Sequence, residues 1–231
     1  MSNTNILIKK MFDAIAPRYD FLNRSLSLGQ DIYWRRIMAA SIGGASNLLD
    51  VACGTGDVAF EIAKRYNNRI EIYGTDFSEE MLRIAKKKGS VKDCNNLFFV
   101  AADALLLPFA DNRFDAVTIA FGIRNIEDKK RALKEFIRVL KRDGSVLILE
   151  LTAPENRFLM ELYMLYFKKI LPVVGGLFSK NFQAYRYLPD SVMKFPKSSE
   201  FVKIMEQSGF KKIKVKRLSL GAATLFIGYK G

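Results

Sequence analysis

The sequence has no histidine and only two cysteines among its 231 residues. Without histidine, the usual zinc sites and a histidine general base are excluded, and no carboxylate cluster suggests another metal, so we expect none. Cys53 and Cys94 are too few for a disulfide framework. We therefore expect a protein of a reducing compartment, the cytoplasm.

Long apolar runs are also missing. The first residues, 1–5, lack the basic region and apolar run of a secretory signal, so no cleaved leader is expected. The aromatic-rich stretch Phe158–Leu171 is interrupted by Glu161 and by the pair at 168–169, which leaves it too short to span a bilayer. Internal repeats and Ser/Gly/Pro linkers are absent as well. One domain over 1–231 is therefore predicted.

The charge is unbalanced, at +13 with 37 Lys and Arg against 24 Asp and Glu. The basic residues are spread along the chain, as is usual for solvated helix faces and exposed strand edges. Nucleic acid, an anionic membrane surface and solubility alone are all compatible with this balance. Charge therefore leaves the partner open.

The most informative feature that is present is a glycine turn between a strand and a helix. The short, mainly apolar run Asn47–Ala52 predicts a buried parallel strand. Gly54 and Gly56 follow, and apolar residues then recur at helical spacing over Val58–Tyr66. A tight turn at the carboxyl end of a strand is where open α/β sheets bind ligands. A turn without a ligand is the alternative, because a lone glycine turn is weak evidence.

Two acids at this turn favour a cationic ligand. A dinucleotide site with the pattern G-x-G-x-x-G would need glycine at Ala52 and Asp57. Asp57 at the helix N-terminus would compete with a pyrophosphate for the backbone amides and repel it. Together with Asp50, it suits the ammonium and sulfonium groups of S-adenosylmethionine.

The next two strand-to-helix units add further acids. The predicted strand Arg69–Asp76 ends in an acid at about the interval where Rossmann-like sites place a ribose-binding carboxylate. Ser78 is a candidate N-cap of the following helix, and an Asp76 that only helps to cap it is the alternative. The strand Leu97–Ala101 is followed by Asp103, which could accept a hydrogen bond from an adenine amino group or be an ordinary loop acid.

Strand and helix patterns alternate along the rest of the chain. They predict strands over Phe114–Phe121, Ser145–Leu151, Lys212–Leu218 and Ala223–Tyr229, and helices over Asp128–Leu140 and Ser198–Ser208. The connection 219–222 is too short for a crossover helix, so the last two strands should pair antiparallel. We predict an α/β fold with a doubly wound, mostly parallel, seven-stranded Rossmann-like sheet and an antiparallel last strand.

Several motifs in this order resemble those of class I S-adenosylmethionine-dependent methyltransferases. More closely, the chain resembles the menaquinone and ubiquinone biosynthesis C-methyltransferase family over nearly its whole length. The stretches that carry the resemblance are Asp50 to Asp57, Asp76, Asp103 to Phe109, Phe12 to Asp20, Ser27 to Arg35, Phe121 to Asn125, Tyr187 to Ser191, Lys194 to Pro196, and Gly209 with Phe210.

The resemblance implies S-adenosylmethionine as the cofactor. With the turn residues, the expected contacts are Asp50, Gly54, Thr55, Gly56, Asp76, Phe77, Asp103, Ala104 and Ala120. Many relatives carry serine at the position of Ala120, so a contact there must use the backbone or be lost. The wider superfamily often has glycine where this chain has Ala52, and alanine restricts the turn slightly.

The family reaction is methylation of a ring carbon beside a phenolic hydroxyl of a prenylated quinol. Removing the phenol proton pushes electron density onto that carbon, so the enzyme must help to remove it, align the carbon and exclude water. Arg124 and Asn125 are the first catalytic candidates, acting electrostatically or through a positioned water. Tyr19 and Asp20 are the others, on an expected N-terminal lid, with a core aromatic and a helix cap as their structural alternatives. Glu150 is expected to pair with a basic residue.

Four regions are expected within the single domain: a helical lid at 1–45, a cofactor-binding core at 46–151, a helical substrate- or membrane-facing insertion at 152–200, and a C-terminal helix and strand pair at 201–231. In the insertion, 158–171 and 172–178 are the expected place for an isoprenoid tail or for contact with a membrane interface. A helix packed on the sheet is the alternative.

The main hypothesis is C-methylation of demethylmenaquinol by a cytoplasmic enzyme in transient contact with the membrane surface. Methylation of a benzoquinol in ubiquinone biosynthesis is the first alternative. A nucleic-acid methyltransferase is less favoured, because the chain lacks an Asn/Asp-Pro-Pro-aromatic turn, a Pro-Cys nucleophile and a recognisable RNA-binding module. An inactive assembly partner with the same fold is the non-enzymatic alternative, and a homodimer stays open.

Overall fold

The structure, a computed structural model, describes residues 3–92, 94–166 and 182–231. Three helices come first, and strands then alternate with helices. The strands are β1 (Asn47–Val51), β2 (Glu71–Asp76), β3 (Leu97–Ala101), β4 (Phe114–Ala120), β5 (Leu140–Leu151), β6 (Phe210–Leu218) and β7 (Ala223–Lys230). The helices are α1 (Asn3–Ile15), α2 (Tyr19–Leu26), α3 (Gln30–Ala40), α4 (Asp57–Arg65), α5 (Glu79–Val91), α6 (Lys129–Val139), α7 (Arg157–Leu165), α8 (Phe182–Lys194) and α9 (Ser198–Gln207).

All seven strands form one sheet in the order β3-β2-β1-β4-β5-β7-β6. The first five strands pair in parallel, whereas β7 lies between β5 and β6 and is antiparallel to both. The predicted fold class is confirmed, including the antiparallel last pair. The strand order reverses between β1 and β4, which is the point where open α/β sheets leave a crevice for ligands.

The sheet is buried on both faces, as expected for parallel strands covered by helices. Successive residues of a strand point to opposite faces, so Leu48 packs towards α3 and α4 while Leu49 packs towards α6. Phe136 on α6 and Phe201 on α9 are fully buried on the second face. Both helix layers thus hold the carboxyl ends of β1 and β4 in a fixed position.

Most element boundaries agree with the predictions, and β5 differs most. It begins at Leu140 rather than Ser145, because Leu140 pairs with Phe114 before an irregularity shifts the register. Asp143 lies inside this strand with a φ of 60°. The strand thus continues through this irregularity instead of ending there.

The aromatic-rich stretch is helical over Arg157–Leu165, and the predicted segments at 167–171 and 172–178 lie outside the described residues. Among residues that the structure describes, no helix is both long and apolar enough to cross a membrane.

Candidate active site

The glycine turn after β1 uses three residues with a positive φ. These are Ala52 at 51°, Gly54 at 54° and Gly56 at 85°. Glycine adopts this conformation freely, whereas a Cβ makes it costly, so Ala52 carries backbone strain at the mouth of the site. A Cβ on Gly56 would lie 2.8 Å from the ring of Phe60. Gly56 therefore serves close packing of α4 and lines none of the cavities described below, and its predicted contact with the cofactor stays a prediction.

Asp76 at the end of β2 ties the glycine turn to the next unit. Its Oδ2 accepts a hydrogen bond from the Gly54 N–H at 2.8 Å, and its Oδ1 accepts one from the Ser78 N–H at 2.9 Å. Burial raises the pKa of Asp76 to about 6. Ser78 accepts from the Met81 N–H at 3.2 Å, which confirms it as the N-cap of α5. Asp76 thus supports the helix start and also borders the cleft.

The main cleft opens where the ends of β1, β2 and β4 meet. It brings together the predicted Gly54, Asp76, Phe77, Asp103, Ala104 and Ala120 with Tyr19 and Asn125. The sequence analysis did not single out Ile8, Met81 and Ile126, which also line this cleft. Asp103 Oδ1 accepts the Leu105 N–H at 2.9 Å, so this acid also shapes its own loop.

Asp50 lies behind the main cleft, in a small pocket that Tyr19, Gly54 and Ala120 share with the cleft. The Thr118 hydroxyl donates to Asp50 Oδ1 at 2.7 Å, while Oδ2 has no hydrogen-bond partner among the described residues. Burial raises the pKa of Asp50 to about 7. A buried oxygen without a partner is a position where a ligand donor would be favourable.

Asp57 does not face the cleft. Its carboxylate belongs to an ionic cluster that joins α2, α3, α4 and α5, made of Asp20, Arg24, Asp31, Arg35, Asp57 and Lys88. Asp57 lies 2.8 Å from Arg24 Nη2 and 3.0 Å from Lys88 Nζ. Burial opposes ionisation, but Arg35 and Lys88 outweigh it and lower the pKa of Asp57. Asp57 also lines the small pocket described above, where three basic side chains neutralise it, so the prediction that it faces a cationic ligand stays a prediction.

Two predicted residues are held by the same ionic cluster. The Thr55 hydroxyl donates to Asp20 and accepts from Lys88 Nζ at 3.1 Å. Asp20 also pairs directly with Lys88 and lines none of the cavities described here. Thr55 borders the small pocket, and the predicted roles of both residues stay predictions. Their partner Lys88 comes from α5, which no local pattern could indicate.

Arg124 is fixed by the buried acid of β5. Its Nη1 lies 2.6 Å from Glu150 Oε1 and donates at 2.6 Å to the Phe121 carbonyl, and its own N–H donates to Glu150 Oε2 at 3.0 Å. Glu150 is fully buried, and its expected pairing with a basic residue is confirmed. Burial alone would lower the pKa of Arg124, but Glu150 raises it, so the guanidinium stays charged.

A side cavity shares Phe121 as a lining residue with the main cleft. Arg124 lines it together with Asn23, Leu26, Ser27, Leu28, Gln30, Asp31, Trp34, Phe121, Leu151, Tyr163, Tyr166, Leu188, Ser219 and Ala222. Asn125 lines the main cleft instead, so the two neighbouring candidates serve different cavities. Apolar and aromatic walls dominate the side cavity, which suits a greasy ligand.

Phe121 lines both cavities and has a strained backbone. Its φ is 58°, which is unusual for a bulky residue and typical of functional sites. The ring lies 6.0 Å from the Trp34 ring and 5.3 Å from the Arg35 guanidinium. A Cβ at Gly122 would lie 2.8 Å from Ala52 Cβ, so the ends of β1 and β4 approach closely at this point.

Tyr19 begins α2 and borders both the main cleft and the small pocket. The centroid of its ring lies 6.0 Å from the centroid of the Phe12 ring. Tyr19 is therefore a packed aromatic residue, as in the structural alternative, and it also borders the site. Burial raises the pKa of Tyr19, which keeps its hydroxyl protonated near neutral pH.

Comparison with known families gives one match over almost the whole chain. Residues 1–230 match the ubiE/COQ5 methyltransferase family. The chain belongs to this family. Its membership confirms the predicted resemblance, and with it a C-methyltransferase of quinone biosynthesis.

Curated relatives of the ubiE/COQ5 family member cover nearly its full length. The ubiquinone/menaquinone biosynthesis C-methyltransferase UbiE of Geotalea uraniireducens is 50% identical over 226 residues, which are 96% of each chain. The demethylmenaquinone methyltransferase of Chlorobaculum parvum is 43% identical over 229 residues, covering 96% of this chain and 92% of the relative. One name covers both ubiquinone and menaquinone and the other menaquinone alone, so the two relatives do not distinguish a benzoquinol from a naphthoquinol substrate.

Solved structures share the fold at low identity. A S-adenosylmethionine-dependent methyltransferase from Thermotoga maritima has a TM-score of 0.67 at 20% identity, covering 96% of this chain and 99% of that one. The [4+2]-cyclase SpnF has a TM-score of 0.71 at 18% identity, covering 96% of this chain and 94% of the cyclase. The fold of the ubiE/COQ5 family member is therefore that of class I methyltransferases.

Proposed function

We propose that this protein transfers the methyl group of S-adenosylmethionine to a ring carbon of demethylmenaquinol. The observation that carries the proposal is that Asn125 lines the main cleft and Arg124 lines the side cavity, two cavities that share Phe121. Such a loop can contact a donor in the main cleft and an aromatic acceptor in the side cavity at the same time. The relatives named UbiE and demethylmenaquinone methyltransferase support a quinol as the acceptor.

The main cleft suits S-adenosylmethionine, which supplies an electrophilic methyl group on a sulfonium. Asp76 would hold the ribose, since each carboxylate oxygen keeps a free acceptor position after its bond to the backbone. Apolar Phe77, Ala104 and Met81 would flank the adenine. The unpartnered Oδ2 of Asp50 would accept from the ammonium group at the end of the small pocket.

Arg124 would stabilise the quinol as its phenolate. A guanidinium held by a buried carboxylate keeps its charge and its direction, so its field acts without reorganisation. Arg124 is not a base, because Glu150 raises its pKa. It instead lowers the cost of releasing the phenol proton to water, after which the neighbouring carbon is nucleophilic. That carbon loses its hydrogen as a proton once the new bond has formed.

The N-terminal helices would close the site against water. Ile8 and Phe12 of α1 and Tyr19 of α2 wall the main cleft, while α2 and α3 wall the side cavity. The ionic cluster fastens α2 and α3 to the glycine-turn helix α4. This part of the chain acts as the lid, which excludes competing water from the methyl group.

An isoprenoid tail would leave the side cavity along α7. Tyr163 and Tyr166 at the C-terminal end of that helix line the cavity, and Phe158 and Leu162 on it are exposed by 67% and 49%. Leu28 at the cavity rim is exposed by 79%. These apolar side chains would touch the membrane interface transiently while the quinol exchanges.

Transfer of a radioactive methyl group tests the proposed function. Purified protein is incubated with labelled S-adenosylmethionine and with demethylmenaquinol, the corresponding benzoquinol or total RNA. We expect the most rapid labelling in demethylmenaquinol. Faster labelling of the benzoquinol would assign ubiquinone biosynthesis, and label in RNA with none in either quinol would contradict the proposal.

The matched inactive variant combines Arg124→Met with Glu150→Gln. Both charges are removed together, because one buried charge left alone would cost about 3–5 kcal/mol of stability. We expect turnover to fall about a hundredfold, as for loss of an electrostatic stabiliser. The control pair Arg83→Met with Glu80→Gln removes an exposed ion pair on α5 and should leave turnover unchanged.

A further inference from the structure

Helix α8 presents two polar side chains to the Arg124-Asn125 loop. Tyr187 and Ser191 are four residues apart and so share one face of the helix. The Tyr187 hydroxyl donates to Asn125 Oδ1 at 2.8 Å, and Arg124 Nε donates to Ser191 Oγ at 3.4 Å. The sequence marked the run Tyr187 to Ser191, but no function described above uses it.

The contacts of Asn125 fix which end of its amide faces which partner. Asn125 Nδ2 donates to the Phe121 carbonyl at 3.4 Å, the same oxygen that accepts from Arg124. A carbonyl only accepts, so the NH₂ end of the amide must point towards it. The oxygen end then faces Tyr187, whose hydroxyl is the donor.

Tyr187 itself borders neither cavity, whereas Asn125 lines the main cleft, among the residues that the structure describes. The hydrogen bond to Asn125 is therefore the direct contact through which Tyr187 can act on a residue of the main cleft. Burial raises the pKa of Tyr187 although Arg124 lowers it, so the hydroxyl stays protonated and keeps donating. Its neighbour Leu188 lines the side cavity, which links α8 to both cavities.

We infer that Tyr187 is a positioning residue, which holds the amide of Asn125 with its NH₂ group turned to the Phe121 carbonyl and the boundary between the cavities. Ser191 steadies Arg124 from the same helix face. Without the tyrosine hydroxyl, the amide keeps only its hydrogen bond to the Phe121 carbonyl, so it is held less firmly in its place at the main cleft. The inference rests on the proposed function for its effect on methyl transfer, but the orientation of the amide does not depend on the acceptor.

A double-mutant cycle separates positioning from a general structural role. Tyr187→Phe removes only the hydroxyl, and we expect kcat to fall about tenfold, equivalent to one hydrogen bond, with the KM for S-adenosylmethionine within about twofold. In the background of Asn125→Ala, Tyr187→Phe should cause no further loss, because its target is gone. Additive losses in the two backgrounds would overturn the inference.

The matched control is Tyr229→Phe. Tyr229 pairs with Ser145 of β5, which lies beside Ala116 near the amino end of β4 and so away from the carboxyl ends that form the site, and its variant should keep the wild-type kcat. A second readout needs no substrate. The side-chain amide NMR signal of Asn125, assigned by its loss in Asn125→Asp, should shift in Tyr187→Phe and stay in place in Tyr229→Phe.

The two readouts distinguish the possible failures. If the wild-type protein methylates no quinol but the Asn125 signal shifts only in Tyr187→Phe, the proposed function fails and the positioning role stands. If quinol is methylated and neither kcat nor the amide signal responds to Tyr187→Phe, the positioning role fails and the function stands.

Discussion

Single buried carboxyl groups give this site its pH sensitivity. Asp50 is fully buried, and Asp76 nearly so, at the ends of neighbouring parallel strands. Burial raises the pKa of Asp50 to about 7 and that of Asp76 to about 6. Both acids are thus partly protonated near neutral pH until a ligand supplies positive charge or hydrogen-bond donors.

The first prediction concerns the stability of the protein without ligand. In the unfolded chain Asp50 returns to its ordinary pKa of 3.8. The folded state therefore holds a proton that the unfolded state has released between about pH 4 and 7, so the contribution of Asp50 to the free energy of unfolding is lost as the pH rises. The variant Asp50→Asn cannot ionise at this position, so its free energy of unfolding does not show this decrease as the pH rises.

Urea unfolding of both proteins at several values between about pH 5 and 8 measures the difference. Relative to the wild type, Asp50→Asn should gain at least about 1 kcal/mol of stability across this range. The other titrating groups are the same in both proteins, so their contributions to the free energy of unfolding cancel in the difference. A difference that stays constant with pH would contradict the protonation of buried Asp50.

Individual residues show which parts of the site could be predicted from the sequence and which could not. Asp76, Asp103 and Ala104 were predicted because each follows a strand, and parallel strands deliver their carboxyl ends to one edge. The pairing of Thr55 and Asp20 with Lys88 was not predicted, because Lys88 lies on a helix distant in sequence. Side-chain pairing between elements depends on packing, which local patterns do not contain.

At the scale of elements, the lid is held by charge more than by apolar packing on the glycine-turn side. Asp20 and Arg24 from α2 meet Asp57 of α4 and Lys88 of α5. Lys88 contacts Asp20, Asp57 and the Thr55 hydroxyl, so it joins the lid to the turn. Such partly exposed pairs are individually weak and sensitive to salt.

Lys88→Met should loosen α2 without unfolding the protein. We expect hydrogen exchange of the α2 amides to become about fivefold faster, equivalent to about 1 kcal/mol for the lost charge contacts. The control Lys87→Met changes an exposed lysine of the same helix and should leave the exchange unaltered. Equal exchange in the two variants would mean that the ionic cluster does not hold the lid.

Elements whose pattern is local were predicted well. The strand Leu97–Ala101 and the N-cap of α5 depend on neighbouring residues alone, and both were predicted correctly. The start of β5 was not, because Leu140 becomes a strand residue only by pairing with Phe114. The expected closing motion of the lid stays a prediction.

For the whole molecule, the sheet order determines where the site lies but not what it methylates. The reversal of strand order between β1 and β4 opens the main cleft, and this arrangement is common to class I methyltransferases. The cyclase SpnF shares the fold, so fold alone does not specify a reaction. In the proposed function the acceptor depends instead on the side cavity, which residues of the N-terminal helices, α7 and α8 line together with Arg124.

The most direct measurement of the central claim is the position of the transferred methyl group. Wild-type protein is supplied with S-adenosylmethionine carrying a ¹³C-labelled methyl and with demethylmenaquinol, and the product is analysed by mass spectrometry and NMR. The account predicts one labelled methyl per quinol, bonded to a ring carbon beside a hydroxyl. A labelled methyl on oxygen, or an unlabelled quinol recovered with intact donor, would contradict it.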